Sequence, residues 1–343
     1  MKAYIVASTR ENAGKTSLII GMASAAGKKC GYLKPFGDRL VYQRKISWDH
    51  DAALVTRLWG LDLNPDEMTL GFSHPKLRFV HDERSLSGTL PEMAAKASRG
   101  SELLFIEGGK DISYGASISL DPLTVARYTG AGVILVASGE ADEVLDDIAF
   151  FRSYCSVPGI TISGVIINKV RDIDDFTNTS LKTITSSGMN VLGVVPYEDS
   201  LTHYSVRYLA ENLFAKVIGG EGGLGNIVKN FFVGAMSAEE SLRNPVFARN
   251  DNVAITSGDR SDMILASLKK GTSAIVLTNN IMPPPNIIAG AAQKNIPLLL
   301  VAQDTYHVTK QVYMLQALTT PDDAEKIEKL AQLARNNISL GGL

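Results

Sequence analysis

The run Lys2-Ala-Tyr-Ile-Val6 is followed by Ala7-Ser-Thr-Arg-Glu-Asn-Ala-Gly14-Lys15-Thr16-Ser17 and then by an apolar stretch over 18–27. A short apolar strand, a loop closing on Gly-Lys-Thr and a helix are the context in which a phosphate-binding loop is expected. Backbone N–H groups of such a loop, with the positive end of the following helix, can cradle phosphate oxygens. On this reading Asn12, Ala13, Gly14, Lys15, Thr16 and Ser17 surround the phosphates. Lys15 reaches the β/γ-phosphates and the Thr16 hydroxyl reaches Mg²⁺. The usual pattern has glycine five residues before Gly14, where this chain has Thr9. The competing reading is an ordinary helix start capped by Asn12, with Lys15 in solvent.

Further apolar runs recur at 31–33, 103–106, 132–136, 164–167 and 191–195, separated by helix-like stretches. Continuous apolar strands alternating with helices predict an α/β fold with a parallel sheet covered on both faces. Functional loops then belong at the carboxyl ends of the strands. Glu107 ends one such run ahead of Gly108-Gly109, and Asp51 opens a helical stretch behind Trp48-Asp49-His50. Both are candidates, with Thr16, for the oxygen shell of Mg²⁺, which suits hard carboxylate ligands. Asp51 as a plain helix cap is the alternative, and Asp49 is a second candidate ligand. Lys34-Pro35 follows the run 31–33, so Lys34 can face a transferred phosphoryl group or an acidic substrate. Asn168-Lys169 follows 164–167. Guanine-reading proteins of this class carry Asn-Lys-x-Asp, and here Arg171 replaces the aspartate. That favours adenine, with Asn168 beside the base.

Composition narrows the classes. The 343 residues are 45% hydrophobic and 20% charged, enough for two cores. A net charge of −2 argues against a global electrostatic nucleic-acid binder. The two cysteines, Cys30 and Cys155, form no disulfide framework and read as reduced thiols of a cytoplasmic protein. No apolar run has transmembrane length, and residues 1–10 lack a signal-peptide core. The expected division is a phosphate-loop domain over 1–214, a glycine-rich linker over 215–226, a smaller α/β domain over 227–320 and a terminal helix over 321–343.

With these residues in place, residues 1–212 resemble dethiobiotin synthetase. The resemblance is carried by 8–16, Gly-Tyr-Leu-Lys-Pro (31–35), His-Asp-Ala-Ala-Leu (50–54), Ile-Glu-Gly-Gly (106–109), Val-Ile-Ile-Asn (165–168) and Leu-Gly-Val-Val-Pro (192–196). It implies that Lys15 and Lys34 serve ATP and carbamate chemistry as catalytic groups, that Asp51 and Glu107 hold Mg²⁺, and that Asn168 and the Pro196 strand end contact adenine. The segment after Glu107 reads Gly-Gly-Lys-Asp-Ile-Ser, which departs from the family's Gly-Ala-Gly-Gly. The remainder resembles the DRTGG domain through Val233-Gly-Ala-Met-Ser237, the stretch 255–262 with Asp259, Arg260 and Ser261, then 274–278, Ile296-Pro297 and Asp304-Thr-Tyr306. That pair of domains resembles the non-catalytic N-terminal half of long bacterial phosphate acetyltransferases.

The resemblance implies a Mg-ATP-binding regulatory or sensor protein with at most slow ATPase activity and no acetyl transfer of its own. Its implied partners are a nucleotide, a phosphate acetyltransferase or other acyl-metabolism enzyme, and further copies of itself, with neither nucleic acid nor membrane. Asp259, Arg260 and Ser261 would face a ligand or an interface, or else only cap the helix after them. The alternative is an ATP-dependent carboxylase or amidoligase.

Overall fold

The computed structural model describes residues 1–43, 46–155, 157–249 and 251–342. Two compact units divide the chain: 1–198 together with 319–343, and 199–318.

In the first unit the strands and helices alternate as the apolar runs predict. In chain order they are β1 (Lys2–Ser8), α1 (Lys15–Ala26), β2 (Cys30–Leu33), the hairpin strands β3 (Leu40–Gln43) and β4 (Ile46–Asp49), then α2 (His50–Trp59), α3 (His74–Val80) and α4 (Glu83–Ala97). There follow β5 (Leu103–Glu107), α5 (Pro122–Thr129), β6 (Gly132–Ala137), α6 (Ala141–Tyr154), β7 (Ile162–Val170), α7 (Ile173–Asn178), α8 (Ser180–Ser186) and β8 (Val191–Pro196). The six-stranded sheet has the order β2-β5-β1-β6-β7-β8, and every neighbouring pair is parallel. β1 therefore lies between β5 and β6, where the winding reverses direction. In open α/β sheets the ligand crevice forms outside the carboxyl ends of the strands at that reversal. The loop after β1 and Glu107 at the end of β5 both meet there.

The second unit opens with β9 (Tyr204–Ser205), α9 (Val206–Asn212) and β10 (Lys216–Gly219), followed by β11 (Ile227–Val228), β12 (Asn230–Val233), α10 (Ala238–Arg243), β13 (Asn252–Ser257) and α11 (Ser261–Lys270). It closes with β14 (Ala274–Thr278), α12 (Pro285–Gln293), β15 (Leu298–Leu300) and α13 (Thr305–Met314). Its sheet runs β10-β15-β14-β13-β12, with β10 antiparallel to β15 and the other pairs parallel. Val206 and Leu209 of α9, with Val308 and Val312 of α13, pack on Val253, Ile255, Val276 and Leu299. Ile264 and Leu268 of α11, with Ile287 and Ala291 of α12, pack on Ala254, Ile275, Leu277 and Leu298 of the opposite face. The alternation of buried side chains along each strand builds two cores from one sheet.

The glycine cluster expected as a linker over 215–226 is instead part of this unit. Lys216 and Val217 pair with Leu300 and Leu299. At Gly223 a Cβ would stand 1.9 Å from the Asn295 carbonyl oxygen, so glycine is needed there for close backbone approach. The terminal segment holds a helix. This helix, α14 (Ala324–Asn337), lies against α1, with Leu330, Ala331 and Ala334 buried. The chain then pairs with the edge strand, Ser339 N–H donating to the Leu192 carbonyl at 2.7 Å. Lying between the sheet and α14 explains why α1 buries Leu18, Ile19, Ile20, Gly21, Met22 and Ala23.

Candidate nucleotide and cation site

Gly14 has φ 97°, the left-handed region, and forms the N-cap of α1 without a side-chain cap. A Cβ there would stand 2.5 Å from Asn168 Nδ2. Asn12 does not cap the helix; its Oδ1 accepts from Arg39 Nη2 at 2.9 Å. Lys15 is not in solvent either. It is 6% exposed, and its Nζ donates to Ser8 Oγ at 2.8 Å and to the Lys110 carbonyl at 3.0 Å. The ordinary-helix reading of this segment is thereby removed. Burial lowers the Lys15 pKa, with Glu107 opposing. The Thr16 hydroxyl donates to Glu107 Oε1 at 2.9 Å, and the Tyr32 hydroxyl donates to Glu107 Oε2 at 2.8 Å.

Lys34 is fully buried at the end of β2. Its Nζ stands 2.6 Å from Asp38 Oδ1, 2.6 Å from Asp51 Oδ2, 3.2 Å from Asp49 Oδ1 and 3.8 Å from Glu107 Oε1. Arg39 adds a second cation 3.1 Å from Asp51 Oδ2. Burial alone would lower the Lys34 pKa. The surrounding carboxylates, Asp51 and Glu107 foremost, reverse this and hold it well above the usual lysine range. Burial likewise works to raise Asp51, but Lys34, His50 and Arg39 hold it far below the usual carboxylate range. Glu107 goes the other way: burial pushes it up to about 7 against the pull of Lys34.

The helix-cap alternative for Asp51 is settled by its neighbour. Asp49 Oδ1 accepts from the Asp51 and Ala52 N–H groups, while its Oδ2 accepts from the Asp38 and Arg39 N–H groups. Asp49 thus caps α2 and fixes the turn before β3, which leaves Asp51 in the first helical turn facing Lys34. Oxygens of Asp38, Asp49 and Asp51 lie within 4.8 Å of one another. This all-oxygen donor set, with Glu107 and Thr16 beside it, suits a hard divalent cation.

Asn168 is brought to the loop. Its Nδ2 donates to the Ala13 carbonyl at 2.8 Å, and Lys169 Nζ donates to the Asn12 carbonyl at 2.7 Å. Both brace the phosphate loop. Pro196 ends β8 and pairs with Val170. Arg171 lies over the Tyr197 ring at 4.4 Å, and Asp172 caps α7 by accepting from Asp175 N–H. Ser17 follows Thr16 within the first turn of α1. Sequence reasoning missed Asp38, Arg39 and Tyr32. Asp38 could have been flagged by its place four residues after Lys34, although that spacing is not helical here.

In the second unit, Arg260 pairs with Asp262 at 3.1 Å and donates to the carbonyls of Gly234 and Met236. It ties the end of β12 to the start of α11. Neither Asp259 nor Ser261 supplies a side-chain cap to α11, so the capping alternative fails.

A parallel sheet with a phosphate loop at its winding reversal defines a P-loop nucleoside-triphosphatase type of domain, and the chain matches the family described as an AAA domain over residues 2–205. That match covers more than half of the chain, which belongs to this family. Residues 208–315 match the DRTGG domain. Along its length the chain is similar to the phosphate acetyltransferase of Nitrosomonas europaea, 24% identical over 364 residues, which cover 98% of this chain and 50% of the relative. It is similar to that of Pseudomonas aeruginosa at 24% over 371 residues, 98% of this chain and 51% of the relative. The chain thus spans about half the length of these curated relatives. Among solved structures it is similar to the CBS and DRTGG domains of the regulatory region of Clostridium perfringens pyrophosphatase, complexed with its activator diadenosine tetraphosphate. The identity is 23%, the match covers 41% of this chain and 58% of that chain, and the TM-score is 0.30.

Proposed function

We propose that the first unit binds a Mg-nucleotide, ATP in preference to GTP, and that the chain acts as a regulatory or sensor module related to the N-terminal region of phosphate acetyltransferases. The observation that carries this reading is the convergence of Lys15, Thr16, Lys34, Asp51 and Glu107 on one crevice from four separate segments of the chain. Thr16, Asp51 and Glu107 would hold the cation, which would neutralise phosphate charge. Lys15 would leave Ser8 and Lys110 for the β/γ-phosphates. Gly14 and the start of α1 would offer backbone N–H groups to phosphate oxygens. Arg171 and Asp172 support adenine, since one lies on Tyr197 and the other caps a helix, so neither offers a carboxylate to guanine.

Slow turnover is supported by the segment after Glu107. It folds Tyr114 onto Phe36, with ring centroids 4.6 Å apart, and His74 stands edge-on to both. Rings, rather than polar anchors for an acceptor, flank the Lys34–Asp38 turn. A phosphoryl-transfer rate depends on a positioned acceptor. The carboxylase or amidoligase alternative predicts the reverse, namely stimulation of ATP hydrolysis by a small carboxylate or amine.

Equilibrium titration tests the reading. Mg-ATP should bind more tightly than Mg-GTP, and Lys15→Ala should weaken ATP by about 1.5–3 kcal/mol, the worth of a charge-assisted hydrogen bond. Equal or tighter GTP binding would remove the adenine assignment, and unchanged ATP affinity in Lys15→Ala would place the phosphates elsewhere.

A further inference from the structure

A cleft of about 580 Å³ opens on the first unit at the amino ends of β2 and β5, the edge of the sheet opposite the phosphate loop. Trp59, Leu61 and Leu63 supply an apolar wall, and Lys28, Lys29 and Arg99 stand on its rim. Four cationic side chains line it in all, against the two acidic ones Asp62 and Glu67. One of the four, Lys96, is already paired with Glu67. Among the described residues neither Lys29 nor Arg99 is paired with a carboxylate. The backbone of Lys29 is anchored, because its carbonyl accepts from the Glu102 and Leu103 N–H groups. A cleft of this size with an apolar wall and a few convergent charges is the general form of a small-molecule site.

We infer that this cleft binds a small amphiphilic anion, its apolar part against Trp59 and its phosphate, sulfonate or carboxylate group at Lys29 and Arg99, and that its occupancy alters nucleotide binding across the sheet. The second half rests on the nucleotide reading above. The same four elements carry both sites. α1 starts at Lys15 and ends at the cleft with Ala23 and Ser24; α2 starts beside Asp51 and ends at Trp59. β2 starts at Cys30 in the cleft and leads to Lys34; β5 follows Ser101 in the cleft and ends at Glu107. A direct side-chain relay joins them. Trp59 meets the Tyr32 ring edge-on at 6.2 Å, and the Tyr32 hydroxyl donates to Glu107, which accepts from Thr16 on its other oxygen. A ligand that shifts Trp59 therefore acts on the orientation of the carboxylate proposed to hold the cation. Such coupling changes affinity by roughly 5–150-fold where it exists.

The test uses the full chain with Trp48→Phe, which leaves Trp59 as its sole tryptophan, and the aromatic sulfonate anilinonaphthalene sulfonate as probe. Energy transfer from Trp59 should saturate at a single site that Mg-ATP does not displace. Lys29→Glu with Arg99→Glu, both on exposed residues, should weaken this site by about tenfold or more, as loss of charge-assisted bonds requires. At probe saturation the dissociation constant of Mg-ATP should shift at least about fivefold, and Tyr32→Phe should abolish that shift. Transfer unchanged by the charge reversal overturns the cleft as an anion site. An ATP constant independent of probe overturns the coupling. Absence of any nucleotide binding removes the Proposed function and the coupling together, while the transfer measurement still decides the cleft.

Discussion

At the carboxyl edge of the first unit's sheet, Lys15, Lys34, Asp49, Asp51 and Glu107 are all no more than 6% exposed. At the same edge of the second unit's sheet the buried polar groups are Thr256 and Thr278. Among the described residues the second unit buries no lysine, arginine, aspartate or glutamate. One of its ion pairs, Arg260 with Asp262, is partly exposed and worth little, since surface pairs contribute about 0–1 kcal/mol. Both units wind helices around a mainly parallel sheet, yet only one concentrates charge inside it. Buried charges need mutual compensation or a charged ligand. The contrast therefore separates an edge that holds a compensated cluster of buried charges, the site proposed for a Mg-nucleotide, from one whose polarity hydroxyls supply.

The sharpest way to break this contrast is Lys34→Met. Removing one member of a buried ion cluster leaves the rest uncompensated and should destabilise the first unit by about 3–5 kcal/mol. Chemical denaturation measures it. Mg²⁺ should recover part of the loss, because Asp38, Asp51 and Glu107 would then face a divalent cation instead of the ammonium. A Lys34→Met protein as stable as the wild type, with or without Mg²⁺, would mean the carboxylates do not depend on that lysine.

A smaller effect is expected from pH. Burial holds Glu107 at about 7, above its ordinary value. In the unfolded chain it ionises earlier, so its contribution to stability falls as pH rises from the ordinary glutamate value to about 7. Cation binding requires the carboxylate and has the opposite dependence. Affinity for a Mg-nucleotide should rise roughly tenfold between about pH 6 and about pH 8, with proton release, as for other ligands that must be deprotonated. Glu107→Gln should flatten the profile. A profile equally steep in that variant would assign the titration to another group.

Much of this was legible in the sequence, and the reasons are specific. Runs such as 103–106 and 132–136 are continuously apolar because both faces of the sheet are covered, and the residue after such a run falls at the crevice. Glu107 and Lys34 were singled out by that placement, and the phosphate loop by Gly14-Lys15-Thr16 between a strand and a helix. Asp38 and Arg39 did not. They reach the cage because the hairpin of β3 and β4 returns Asp49 to the Asp38 N–H group, a tertiary closure that spacing does not encode. Asn168 was placed at the right loop, but which atom it would meet depended on the approach of Ala13. The cluster 215–226 misled because composition is the same for a flexible linker and for glycines packed against the Asn295 backbone.

The smallest effect tests the second unit. Thr256 is 2% exposed at the end of β13, and among the described residues its hydroxyl oxygen has no hydrogen-bond partner. Thr278 differs: its hydroxyl is 2.9 Å from that of Thr305. A buried unpaired hydroxyl is unfavourable, and an apolar group of the same shape can remove the penalty. Thr256→Val keeps the branched shape that stands beside Gly234. It should therefore raise the stability of the second unit by about 1 kcal/mol, read as a rise of roughly 2–4 °C in its melting temperature. A fall of similar size would show that the hydroxyl is held by water or by a ligand. In that case the second sheet edge would carry a polar site of its own, and the contrast between the two edges would be one of charge rather than of binding.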